Sequence, residues 1–130
     1  MKIQEAIARV KAGIEAAQFD EIEVQAWDMM AAHPDSVELL MVLGEAAIKA
    51  VNFSRADYYF MKAKLKGVNA TEPLFSLAKL SVLIQDFSRA RGYYKEILDI
   101  DATNILAQLG IADTYYNAQL FLEAIKSYEQ

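Results

Sequence analysis

Few side chains of this sequence could carry out chemistry, and their spacing brings no catalytic set together. His33 is the single histidine, and the chain has no cysteine. Nucleophilic catalysis needs a hydroxyl or thiol beside a base, and the base is most often histidine. Because His33 precedes Pro34, where a helix should end, we interpret it as a capping or surface residue.

The remaining candidates for chemistry are also weak. Asp99 and Asp101 lie two residues apart at a predicted helix end, and we interpret them as a solvated turn rather than a metal site. The tyrosine pairs 58–59 and 93–94 could stack on bases, but no basic residues are interleaved with them, so packing explains them better. The sequence therefore predicts no catalytic residue, no metal and no cofactor.

Composition restricts the class of protein. The chain has 130 residues, 55% of them hydrophobic with many alanines, and two prolines, which favours an all-α domain. Its net charge of −5 argues against nucleic-acid binding, which usually needs a basic face. The first residues lack the apolar core of a signal peptide, and no apolar run could span a bilayer. We therefore expect a cytoplasmic location without a membrane span.

A period of 34 residues organises the chain. The tetrapeptide Phe53-Ser54-Arg55-Ala56 returns as Phe87-Ser88-Arg89-Ala90 and, in degenerate form, as Phe121-Leu122-Glu123-Ala124. A fixed period of this size is typical of a solenoid. The same step joins small residues at 44, 78 and 112, apolar residues at 43, 77 and 111, and aromatic residues at 60, 94 and 128.

These columns resemble the tetratricopeptide repeat, which pairs Leu-Gly or Leu-Ala in a first helix with aromatic residues and alanine in a second. The resemblance implies an all-α fold, a right-handed α–α superhelix of antiparallel helical hairpins. It also implies one domain over residues 1–130. Aligned to the family pattern, the repeats are residues 3–36, 37–70, 71–104 and 105–130, the last one incomplete.

The repeat boundaries predict where the helices lie. The small residues Gly44 and Ala56 should face each other across one hairpin, as Ala112 and Ala124 should in the last. The last repeat lacks the end of its second helix, so its C-terminal edge should be uncapped. First helices are predicted over residues 3–17, 37–50, 71–84 and 105–118, and second helices over 20–33, 54–66, 88–100 and 121–130.

In the tetratricopeptide family the first helices of the hairpins line a concave face. Carried over position by position, the resemblance implies two apolar strips separated by alternating charge, a groove suited to an amphipathic helix or an extended apolar segment. Phe75 and Met41 would be its anchors, although the apolar strips would also fit a partly core role. The predicted groove residues are Ile7, Lys11, Met41, Glu45, Ile48, Phe75, Lys79, Val82, Leu109, Asp113 and Tyr116.

One subfamily grips a C-terminal carboxylate through lysine and asparagine on its first helix. This chain has Ile7 and Lys11 at those two positions. The sequence therefore predicts that it lacks this carboxylate clamp.

The resemblance implies a scaffold that binds a partner protein, and not an enzyme, a nucleic-acid binder or a membrane-spanning protein. Two alternatives stay open. The chain could self-assemble through its uncapped C-terminal edge, where Leu122, Ile125 and Tyr128 would be exposed. It could also be the regulatory arm of a larger enzyme.

Overall fold

The computed structural model describes residues 1–67 and 70–129, and their side chains except those of residues 124, 128 and 129. The described residues form helices and connecting turns without a β-strand, which confirms the predicted all-α class. Within them, no helix is long and apolar enough to cross a membrane. The helices are α1 Ile3–Glu15, α2 Phe19–Ala32, α3 Val37–Lys49, α4 Phe53–Lys66, α5 Glu72–Leu83, α6 Phe87–Ile100 and α7 Ile105–Glu129.

The helices fall into two compact units, one over residues 1–73 and one from Leu74 onward. The first unit contains α1 to α4, and the second contains nearly all of α5 together with α6 and α7. The single domain expected over residues 1–130 stays a prediction.

Three hairpin turns share one backbone conformation at the 34-residue step. Ala17, Val51 and Gln85 have φ angles of 56°, 60° and 62°. This left-handed conformation is costly for a residue with a Cβ, and the surrounding bonds enforce it. In each turn the next residue (Gln18, Asn52 or Asp86) donates its backbone amide to the carbonyl oxygen five residues earlier, at 2.8 Å. This is the bond of a Schellman motif.

Two of these turns also carry a side-chain cap for the helix that follows. Asn52 accepts the amide of Arg55, and Asp86 accepts the amide of Arg89, both at 3.2 Å. Such a cap stabilises a helix start by about 1 kcal/mol. The third helix that follows such a turn, α2, has Gln18 at its N-cap position and no side-chain cap, so other contacts must hold it.

The predicted hairpin of the last repeat is wrong, because α7 is one continuous helix, Ile105–Glu129, where the repeat predicts two helices, 105–118 and 121–130, separated by a turn. Gln130 lies outside the described residues. At the 34-residue step from the turn residue Gln85 stands Gln119, and from the cap Asp86 stands Leu120, which has no capping oxygen. No glycine or proline interrupts residues 117–121, so nothing local stops the helix. The predicted contact of Ala112 with Ala124, and the aromatic column at Tyr128, involve side chains outside the described residues.

Helices approach closely where a glycine meets a large side chain. A Cβ added at Gly44 of α3 would overlap the ring of Phe60 on α4, and one at Gly110 of α7 would overlap the ring of Tyr94 on α6. Ala56, the predicted neighbour of Gly44, is fully buried. The space at Gly44 is thus filled by the predicted aromatic column rather than by a contact between two small residues alone.

The core of the second unit forms around Tyr94, the ring that Gly110 contacts. Tyr94 is buried, and its ring lies edge-on to that of Phe75, with the ring centroids 6.2 Å apart. This places α5 and α6 against each other, and α7 joins through Ala107 and Ile111. The buried members of the cluster are Leu74, Ala78, Ala90, Tyr94, Ile97 and Ala107.

An ion pair joins α2 to α4 in the first unit. Arg55 Nε donates to Glu23 Oε2 at 2.8 Å, and the Tyr59 hydroxyl donates to the same carboxylate at 3.3 and 3.4 Å. The guanidinium carbon of Arg55 also lies 5.9 Å from the ring centroid of Trp27. Burial, and then the charge of Glu23, raise the pKa of Tyr59 to about 12. These bonds hold α2, which lacks its own cap.

The close approach at Gly44 leads to a stability prediction. We expect Gly44→Ala to destabilise the protein by about 1–2 kcal/mol in urea unfolding, because the overpacking exceeds the gain in helix propensity. The matched control is Gly92→Ala on α6, where an added Cβ meets nothing within 4 Å. Gly92→Ala should stabilise by about 0.5–1 kcal/mol. A Gly44→Ala protein as stable as the wild type would contradict the packing described above.

The tyrosine of the ion-pair cluster leads to a pH prediction. Folding raises the pKa of Tyr59 from 10.0 to about 12. The contribution of this shift to the free energy of unfolding is therefore complete below pH 10. It is lost as the pH rises towards 12, because the unfolded chain releases the proton first. We expect a loss of about 2 kcal/mol over that range, measured by urea unfolding, and a smaller loss in Tyr59→Phe. The same alkaline loss in both proteins would refute this assignment.

Candidate partner-binding surface

In the first unit, the apolar residues of the predicted groove belong largely to the core. Ile7 is 4% exposed and Met41 is 7% exposed, while Ile48 is half-buried. The charged residues Lys11 and Glu45 are exposed. Met41, one of the two predicted anchors, therefore offers little surface to a ligand, and the core role weighed for these positions describes it better.

In the second unit, the predicted residues divide between the two first helices. Phe75 and Val82 of α5 are half-buried and pack against the core cluster, with Lys79 exposed beside them. On α7, Leu109 is 54% exposed and Tyr116 is 66% exposed. Asp113 of the same helix is exposed too. That all eleven predicted residues line one groove stays a prediction, and its accessible apolar members lie on α7.

The solvent-facing side of α7 is apolar over most of its length. Its packed side presents Ala107, Gly110 and Thr114, all buried, to the rest of the unit. A helix that is apolar all round is normally covered on every side. The large exposed apolar residues of α7 are Ile105, Leu106, Leu109, Tyr115, Tyr116, Leu120, Phe121, Leu122 and Ile125.

A straight stripe runs along this outer face. Ile105, Leu109, Ala112 and Tyr116 follow one another at steps of four, three and four residues, which keeps them on one side of a helix. All four are exposed. Gly44 and Ala78, which share the column of Ala112, are buried. Ala112 differs because the continuous α7 has no second helix folded back over it.

The groove and the edge predicted from the sequence did not include four large apolar residues of this face: Ile105, Tyr115, Leu120 and Phe121. The signal was present at Leu120, an apolar residue at the step where Asn52 and Asp86 cap the preceding hairpins. Asn52, Asp86 and Leu120 occupy one column, and the apolar Leu120 cannot cap a helix. Recognising that missing cap would have predicted the continuous helix and the exposed face.

The apolar face ends at a cleft within the second unit. The turn between α5 and α6 forms one wall, and the middle of α7 forms the other. The cleft has a volume of about 470 Å³, room for a large apolar side chain. Its lining residues are Val82, Leu83, Gln85, Phe87, Asn117, Leu120 and Phe121.

Few charges lie around the face: α7 contributes Asp113 and Glu123 and, in its last turn, Lys126. Between Ile105 and Ile125 the only ionisable charges are those of Asp113 and Glu123, and both side chains are exposed. The Asp113 charge adds to burial in raising the pKa of Tyr94. Arg91 of α6 lies over the ring of Tyr115, 4.4 Å from its centroid, at the flank of the face.

The described side chains contain no group of three His, Asp or Glu residues able to hold a metal ion. His33 instead donates its Nε2–H to the main-chain carbonyl oxygen of Met1, at 2.7 Å.

Comparison with known proteins identifies the fold. No protein-family model and no curated protein matches the sequence. Among solved structures, the first TPR domain of Spaghetti (RPAP3), bound to the HSP90 peptide SRMEEVD, has a TM-score of 0.74 at 15% identity. The alignment covers 91% of this chain and 96% of that one.

Two further solved structures are similar. The TPR domain of Arabidopsis OM64 has a TM-score of 0.69 at 11% identity, over 86% of this chain and 93% of that one. The Yersinia enterocolitica type III secretion chaperone SycD, in complex with a peptide of the translocator YopD, has a TM-score of 0.67 at 9% identity. That alignment covers 98% of this chain and 94% of SycD. This protein is thus a helical-repeat protein. It has the tetratricopeptide-repeat fold, with helices that correspond to three to four repeats.

The different burial of the predicted site residues leads to a stability prediction. Met41→Glu should destabilise the protein by about 3 kcal/mol or more, because it buries an unpaired charge. Tyr116→Glu should change the stability by no more than about 0.5 kcal/mol, because Tyr116 is exposed. Thermal or urea unfolding measures both. Equal losses in the two variants would show that the face of α7 is covered in the free protein.

Proposed function

We propose that this chain is a protein-interaction scaffold that binds a peptide or an amphipathic helix of a partner protein. The exposed apolar face of α7 is the observation that supports this function most directly. Monomeric proteins rarely leave so contiguous an apolar surface in water, and such surfaces usually mark interaction sites. Two proteins of the same fold, the RPAP3 domain and SycD, were solved with peptides.

The centre of the proposed site is the middle of α7. Leu109 and Tyr116 supply apolar area, and Asp113 supplies a charge that orients the ligand. On α5, Phe75 and Lys79 extend the proposed site within the same unit. Tyrosine is common among the residues that dominate binding energies, so Tyr116 should contribute more than its neighbours.

The remaining residues of the predicted groove support the proposal differently. Ile7 and Met41 are buried, and the exposed Lys11 and Glu45 each follow one of them by four residues on the same helix. Because Ile7 and Lys11 stand where the carboxylate clamp would have its lysine and asparagine, we propose that the partner is not held by its C-terminal carboxylate.

The proposed role is that of a binding protein without catalysis by these 130 residues. Two of the similar structures hold peptides, which supports a binding role. The alternative, that this chain is the regulatory arm of a larger enzyme, stays open. A cytoplasmic location and the absence of nucleic-acid binding stay predictions from the sequence, the latter based on the net charge of −5.

Self-assembly is the second candidate function. It is favoured by Leu122 and Ile125, which are 53% and 40% exposed near the C-terminal end of α7. Static light scattering over a concentration series decides between the two candidates. A protein that stays monomeric at high concentration would exclude self-assembly through this edge.

Partner capture followed by mapping tests the proposed function. We expect a partner isolated by affinity capture to bind the purified chain in calorimetry, and to shift the NMR signals of α7. Tyr116→Glu and Leu109→Glu should each weaken binding about tenfold or more, since both place a charge in the apolar contact. The matched control is Val24→Glu on α2, where Val24 is 79% exposed. Unchanged affinity in both α7 variants would reject this site.

A further inference from the structure

We infer that the outer face of α7 takes an amphipathic α-helix whose apolar stripe is flanked by basic residues. This inference rests on the proposed function and adds the shape and the charge of the partner. Three observations support it: the spacing of the apolar stripe, the gap at Ala112, and two acidic residues, Asp113 beside the stripe and Glu123 in line with it.

The spacing of the stripe selects a helix. Ile105, Leu109, Ala112 and Tyr116 alternate steps of four and three residues, an average of about 3.5, which is the repeat that two helices share in a coiled-coil seam. The stripe is about 17 Å long at about 1.5 Å per residue, so a partner helix of a few turns covers it. An extended segment presents side chains at every second residue and does not match this repeat.

The stripe also provides a hole for a side chain of the partner. Ala112 is small and exposed between Leu109 and Tyr116, which are large and exposed. Knobs-into-holes packing inserts a large side chain into such a gap. Beyond Tyr116, Leu120 leads into the cleft of about 470 Å³, which accepts a second large apolar residue from a longer partner helix.

Charge distinguishes the partner from a second copy of this chain. Asp113 lies beside the stripe, and Glu123 stands at the position where the stripe would continue, seven residues after Tyr116. Both side chains are exposed. If α7 of a second copy lay on this face, it would bring two more acidic residues between Ile105 and Ile125, and its nearest basic side chains would be Lys126, just beyond that stretch, and Arg91, which lies over the ring of Tyr115. Lysine or arginine on a partner helix would instead pair with both.

The experiment uses the full chain and two synthetic probes. Both peptides carry the same leucine stripe over three heptads, one with lysine and one with glutamate at the flanking positions. We expect the lysine peptide to bind in calorimetry and to gain helicity in circular dichroism. The glutamate peptide should bind about tenfold more weakly at low salt, and added salt should reduce that difference.

Charge reversal provides the sharper arm of the experiment. In the double variant Asp113→Lys and Glu123→Lys, the preference should change to the glutamate peptide. Leu109→Glu should lower the affinity for the lysine peptide about tenfold or more, whereas Val24→Glu on α2 should leave that affinity unchanged. Circular dichroism of the variants alone verifies that they stay folded.

The outcomes separate this inference from the proposed function. Equal binding of both peptides, an unchanged preference after charge reversal, or full binding to Leu109→Glu would each overturn the inference. A chain that dimerises, and becomes monomeric in Leu109→Glu, would assign the face to a second copy. If neither peptide binds while a captured partner still requires Tyr116, the inference fails and the proposed function stands. If no partner requires Tyr116 or Leu109, the proposed function fails as well.

Discussion

The structure depends on how closely adjacent helices can approach at a few small residues. Gly44 against Phe60 and Gly110 against Tyr94 leave no room for even one methyl group. Close packing of this kind is what makes interiors sensitive to a change of a single methylene. The two rings, Phe60 and Tyr94, are one 34-residue step apart, but Gly44 lies on the helix before its ring and Gly110 on the helix after its ring. A ring against a glycine therefore packs α3 against α4 and α6 against α7, and the local turns reverse the chain.

The last helix shows what happens when that reversal is missing. With Leu120 in the place of a cap, α7 continues, and Ala112 is exposed although its counterpart Ala78 is buried. A change at one turn thus converts surface that would belong to the core of a hairpin into an open apolar face. The same physical feature accounts for the proposed function and for the geometry of the partner.

Much of the fold could be predicted from the sequence, because a period identifies which residues share a column. It located six helices within one or two residues of their bounds, as for α6 at Phe87–Ile100. It could not say which neighbour covers a column. Met41 and Leu109 share one position of the repeat, yet Met41 is buried and Leu109 is exposed. That difference depends on which helices surround each residue, and therefore on the turns and the packing.

The central claim is that the outer face of α7 is open to solvent in the free protein. Solvent paramagnetic relaxation of methyl signals, from a soluble spin label, measures this directly. The account predicts strong relaxation for Ile105, Leu109 and Leu120, comparable to the exposed Val24, with Leu77 and Leu80 protected in the core. Protection of the three α7 methyl groups in a dilute, monomeric sample would contradict it.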